Sequence, residues 1–348
     1  MTNFMLFLRD NRLTAGMLAF TICFYLLLFA ANAAHKATND PHPTVQVQQN
    51  ASENIKEKEA AFRKNLQSRP ALLNLLSLTL LLVLSFGLGL DIYLFGKKMG
   101  GASLFPSTLA QKDVAWGIEA VFQVFVLLFF AEALIICSEI GVSLFFGWKP
   151  AEKDVVLMAN SLLRDMVVAG FVIYLVKKRF RGTLAELGLT TGNLLRNVVT
   201  GIVSYLAMLP VLCIVLFLLA FLSQALSYEP PPQPVVEIYL RQSAKKYLIF
   251  FTLFVAIVGP LIEEVFFRGF AYKAFRTRFG VRSAMIVTAL LFAFLHMNLV
   301  SFLPIFILGL CLAYLYETTG SLVPSMTLHM IHNLVMVGMT LGFKSLSV

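Results

Sequence analysis

The chain has 348 residues, 58% of them hydrophobic and 14% charged, with a mean hydropathy of +0.79 and a formal net charge of +9. A soluble domain carries about a quarter charged residues, so this composition excludes a soluble globular protein and points to a polytopic membrane protein. The basic excess flanks apolar runs, where it serves topology and anionic headgroups in the lipid bilayer and gives no reason to expect nucleic acid as a partner.

A run of roughly 20 apolar residues crosses ~30 Å of hydrocarbon. By that ruler eight or nine spans are predicted, at about 14–34, 71–95, 114–147, 155–176, 197–226, 246–272, 283–300, 303–318 and 321–343. The 303–318 piece is short and is expected to tilt, re-enter or pack inside the bundle. Strand-like alternation is absent, and lipid leaves helices as the way to satisfy the backbone. The expected fold class is therefore an all-α polytopic membrane protein, a bundle of about eight or nine transmembrane helices.

The first apolar stretch, "RLTAGMLAFTICFYLLLFAANAAHKA", has a basic flank and ends at Ala31-Asn32-Ala33, which resembles a signal-peptidase site. Because the stretch reaches spanning length, a retained signal anchor is expected rather than cleavage of residues 1–33. Either version puts residues 35–70 outside the cytoplasm. That polar loop contains "ENIKEKEAAFRKNLQSR", whose Glu and Lys recur at helical spacing and predict an exposed helix. Residues 1–150 are read as an N-terminal membrane region with no assigned role, and residues 151–348 as the functional domain.

Glu119, Glu132, Glu139, Arg164 and Asp165 follow in the spans between 114 and 176. They are scattered and without histidine, so a packing role is expected, with Arg164 paired to one of the glutamates. The proline run in "YEPPPQPVVEIY" (228–239) is stiff punctuation that sets off the last spans. Cys23, Cys137, Cys213 and Cys311 lie singly in different apolar segments, which supports neither a disulfide framework nor a zinc knuckle.

With the N-terminus in the cytoplasm, the cytoplasmic segments hold 14 Lys/Arg, among them Lys112 and the "KKRFRG" run at 177–182, against 11 in the alternate loops, which include Lys149. The positive-inside rule favours that orientation.

The chemistry concentrates near the C-terminus. "PLIEEVFFRGF" (260–270) places Glu263, Glu264 and Arg268 in an apolar run, where each charge costs ~2.5–3.5 kcal/mol on insertion scales. On a helix Glu264 and Arg268 share a face and pair, while Glu263 points about 100° away and must face something else. "FAFLHMN" (292–298) puts His296 on the next helix, and "HMIHN" (329–333) puts His329 and Asn333 one turn apart on a later one. At 1.5 Å per residue, Glu263, His296 and His329 all fall near mid-membrane or in its cytoplasmic half, so they can converge.

Glu-Glu-x-x-x-Arg, Phe-x-x-x-His and His-x-x-x-Asn, in that order on successive apolar helices, resemble the CPBP family of intramembrane proteases, which includes the CAAX prenyl endopeptidase and many bacterial proteins. The resemblance covers about residues 180–340, with core motifs at 259–335, and takes in "ELGLT" at 186–190. It implies a multi-pass protein of a bacterial plasma membrane acting on a membrane-associated peptide or protein. It also implies roles: Glu263 and His296 activate water, His329 and Asn333 hold the oxyanion, and Glu264 with Arg268 shapes the site.

The physics fits, since a desolvated glutamate is a competent general base and paired donors stabilise a tetrahedral oxyanion. No metal or other cofactor is expected; zinc on His296, His329 and Glu263 is the alternative. The role of His332 and the oligomeric state are left open. Competing functions are a non-catalytic immunity or binding protein of the same fold and a proton-coupled transporter, the latter disfavoured by the lack of repeat symmetry.

Overall fold

The computed structural model describes residues 2–38, 42–100, 113–147, 152–190, 192–228 and 233–347. Lys112, Lys149 and the prolines at 230–232, which figure in the sequence reading, lie outside the described residues. In chain order the helices are α1 (Thr2–Asp10), α2 (Arg12–Thr38), α3 (His42–Gln67), α4 (Pro70–Met99), α5 (Ile118–Phe146), α6 (Lys153–Tyr174) and α7 (Leu194–Ala225). Then come α8 (Pro234–Arg241), α9 (Lys245–Leu253), α10 (Gly259–Glu264), α11 (Lys273–Phe279), α12 (Val281–Leu295), α13 (Leu299–Thr319) and α14 (Leu322–Leu346). No strand occurs among the described residues, and eight of their helical segments are long and apolar enough to cross a membrane. This is an all-α, multi-pass integral membrane protein.

One boundary differs from the sequence reading. The segment expected at 303–318 runs from Leu299 to Thr319 and has spanning length, whereas α12 has only 15 residues and rises ~22 Å. The break falls at His296–Asn298, where Met297 takes a positive φ of 49° and the Asn298 side chain accepts from the Ser301 backbone N–H. Asn298 is thus the N-cap of α13, and Pro304 lies inside the helix rather than at its start.

The chain divides into two compact units. The first comprises residues 1–57 and 116–181. Within it Gln123, buried on α5, donates to Asn11 at 3.0 Å, and Arg179 donates to Gln123 at 3.2 Å. Arg164 on α6 pairs with Glu132 on α5 at 2.9 Å, the packing partnership expected for it.

The second unit comprises residues 58–115 and 182–348. Its centre is the continuous helical stretch Lys245–Phe279, against which α12, α13 and α14 pack. α12 and α13 approach closely because Gly309 faces Ala289; a Cβ on Gly309 would stand 3.1 Å from Ala289. The "ELGLT" stretch straps this core. Tyr316 donates its hydroxyl to the Leu187 carbonyl at 3.1 Å, and the Leu322 N–H donates to the Gly188 carbonyl at 2.9 Å. Gly188 is required there, since its φ is 86° and the Tyr316 ring occupies the space of a Cβ.

Candidate active site

The stretch Lys245–Phe279 is not uniformly α-helical. It is wound as π-helix over Phe254–Val258 and again over Val265–Tyr272, on either side of α10, which carries Glu263 and Glu264. Each π turn inserts one residue and so rotates the following face by roughly 100°. Such windings recur at functional sites.

Glu264 and Arg268, four residues apart, pair at 2.8 Å with side chains 0% and 1% exposed. The guanidinium is further held by aromatic faces. Its central carbon lies 4.5 Å from the Phe292 ring centroid and 5.6 Å from that of Phe267, and Nη2 donates to the Gly309 carbonyl at 3.4 Å. Pairing offsets the cost of burying both charges, so removal of either partner strands the other.

His329, on α14, extends this pair. Its Nδ1 lies 3.1 Å from the same Glu264 Oε1 that accepts from Arg268. An ionised carboxylate only accepts, so Nδ1 carries the proton of this bond. The other ring nitrogen, Nε2, then faces Glu263 Oε2 at 3.7 Å. Glu263 is the outlying carboxylate, with its side chain 31% exposed where Glu264 is sealed. A connected series results: Arg268, Glu264, His329, Glu263. The expectation that Glu263 diverges from Glu264 to face a different group agrees with this arrangement.

His296 stands at the end of α12, exposed, with Nδ1 2.7 Å from the Phe292 carbonyl of its own helix. That bond leaves Nε2 as the nitrogen available to a reacting molecule. Phe292 connects the two imidazoles. Fully buried, it meets the His296 ring edge-on at 4.8 Å between centroids and the His329 ring at 5.6 Å. Asn333, one turn beyond His329, donates its amide to the Val255 carbonyl at 2.8 Å, within the first π segment. His332 turns instead toward α7, its ring edge-on to Tyr205 at 6.1 Å.

The structure therefore brings Glu263, Glu264, Arg268 and His329 into one network. It links His296 to that network through Phe292 and ties Asn333 to the turn preceding the glutamates. Phe292 and Val255 were not singled out from sequence. Phe292 does stand in the Phe-x-x-x-His motif, and a proline inside an apolar helical run, Pro260, marks the irregular backbone near Val255. Among the described residues, no three His, Cys, Asp or Glu side chains are grouped so as to hold a metal ion.

Residues 245–335 match the family model described as type II CAAX prenyl endopeptidase Rce1-like. No curated protein and no solved structure matches the chain. The matched segment begins at α9 and ends just past Asn333, so it encloses every residue of the network. Residues 245–335 of this chain are thus similar to the CAAX-type intramembrane proteases of the CPBP family.

Proposed function

We propose that the protein is an endopeptidase that hydrolyses a peptide bond of a membrane-embedded or membrane-proximal substrate by metal-free glutamic catalysis. Glu263 takes a proton from a water held between it and His296 Nε2. The hydroxide adds to the substrate carbonyl carbon, the second Asn333 N–H and His329, carrying a proton on Nε2 as well as the Nδ1 proton held by Glu264, receive the oxyanion, and the C–N bond breaks as Glu263 returns the proton to the leaving amine. The observation that carries this reading is the polarity of the network. Glu264 is consumed by Arg268 and His329, while Glu263 is left accessible with an imidazole nitrogen 3.7 Å away.

The basic-residue bias supports a cytoplasmic N-terminus, and the family resemblance supports a bacterial plasma membrane. The test compares the membrane proteomes of cells carrying wild-type protein and Glu263→Gln at matched abundance. A defined set of peptides that stays uncleaved in the variant supports the protease reading and names the substrate. Identical proteomes, with the variant rescuing a null strain, mean that the protein acts by binding alone.

A further inference from the structure

The peptide backbone just ahead of the glutamate pair contains an accounting problem. Within the π segment Phe254–Val258, the Gly259 N–H donates to the Phe254 carbonyl, the five-residue bond of a π turn. The Val255 carbonyl then has two regular helical donors to choose from. One is Gly259, already spent on Phe254. The other is residue 260, five positions on, and residue 260 is a buried proline with no N–H. A carbonyl left unpaired in an apolar interior costs about 1–3 kcal/mol. The donor that meets it is the side-chain amide of Asn333, at 2.8 Å, from a helix 78 positions away in sequence.

We infer that Pro260 is a positioning residue: by withholding its N–H it vacates the Val255 carbonyl for Asn333 and so fixes the Asn333 carboxamide beside the glutamate pair. A carboxamide has two N–H groups. With one committed to Val255, the rotation of the amide is set and the second N–H has a defined direction. Pro260 and Asn333 are thus one device split between two helices, and it locks α14 to the turn that starts α10. This assignment rests on the proposed oxyanion role of Asn333 for its catalytic consequence, but not for its geometry.

The experiment uses full-length protein in lipid nanodiscs as wild type, Pro260→Ala, Asn333→Ala and the double variant. Apparent Tm is read first. Asn333→Ala is expected to lower it by about 3 °C in the wild-type background and by much less in the Pro260→Ala background, where the restored N–H supplies a donor. Equal losses in both backgrounds overturn the inference.

The second readout is turnover of a fluorogenic farnesylated CAAX peptide. Pro260→Ala removes a helix-interior proline, so its Tm holds or rises; its kcat is nevertheless expected to fall at least tenfold, with KM within about twofold. Unchanged kcat overturns the positioning role. A wild-type protein inert toward this peptide counts against that substrate class and leaves the Tm cycle to decide the geometry. If Pro260→Ala does not fold, hydrogen exchange of selectively 15N-asparagine-labelled wild type decides. One Asn333 side-chain proton protected and the other free supports the tie, and two protons exchanging alike overturns it.

Discussion

Arg164 and Arg268 both pair with glutamates inside apolar helices, one in each compact unit, and their surroundings differ. Arg164 bonds to Glu132 at 2.9 Å and to Asp165 at 3.4 Å, with the three side chains 29%, 37% and 16% exposed. The guanidinium of Arg164 donates to carboxylates, those of Glu132 and Asp165. Arg268 is sealed, and its glutamate also engages His329. It also leaves polar atoms over: Glu264 Oε2 and Arg268 Nε are buried with no hydrogen-bond partner among the described residues. The first cluster joins two helices. The second spends stability to hold an imidazole in one orientation beside a second carboxylate. A packing ion pair has no need of that surplus cost.

Substitutions sharpen or break the contrast. Glu264→Gln removes the countercharge of a fully buried arginine and is expected to cost about 3–5 kcal/mol in unfolding from lipid or mild detergent; a loss below 1 kcal/mol would erase the distinction. Phe292→Leu should cost about 1–2 kcal/mol by losing the ring under Arg268 and between the two histidines, and should slow peptide cleavage about tenfold. Glu132→Gln keeps an acceptor for Arg164, which also retains Asp165, so a change of about 0.6 kcal/mol is expected in the same unfolding assay. The smallest effect belongs to His332→Phe. The Nδ1 of His332 is buried without a partner, and an aromatic ring preserves the contact with Tyr205. Stability should hold or rise by up to about 1 kcal/mol, with cleavage rates unchanged.

Much of this site was legible in the sequence. The Glu264–Arg268 pair follows from four-residue spacing, and matched depths along successive spans allow Glu263 to meet a histidine. The pairing of Arg164 followed from the rule that buried charges find partners. Other features were hidden for physical reasons. A π turn inserts a single residue and scarcely disturbs an apolar run, so hydropathy does not report it. Which histidine approaches Glu263 depends on helix rotation, which spacing along one chain does not specify. The start of α13 lies earlier than hydropathy placed it, and the signal that sets it is Asn298, whose side chain accepts from the Ser301 N–H.

The strap at 186–190 bears on where this protease can be cut. It lies outside the segment matched to the family, 245–335, yet its carbonyls accept from Tyr316, Leu322 and the Lys273 ammonium group. A fragment trimmed to the matched residues would strip the acceptor from three donors that are buried inside the protein. The smallest excisable enzyme therefore has to begin before Thr183, whose side chain and that of Glu186 close the capping box that starts the strap.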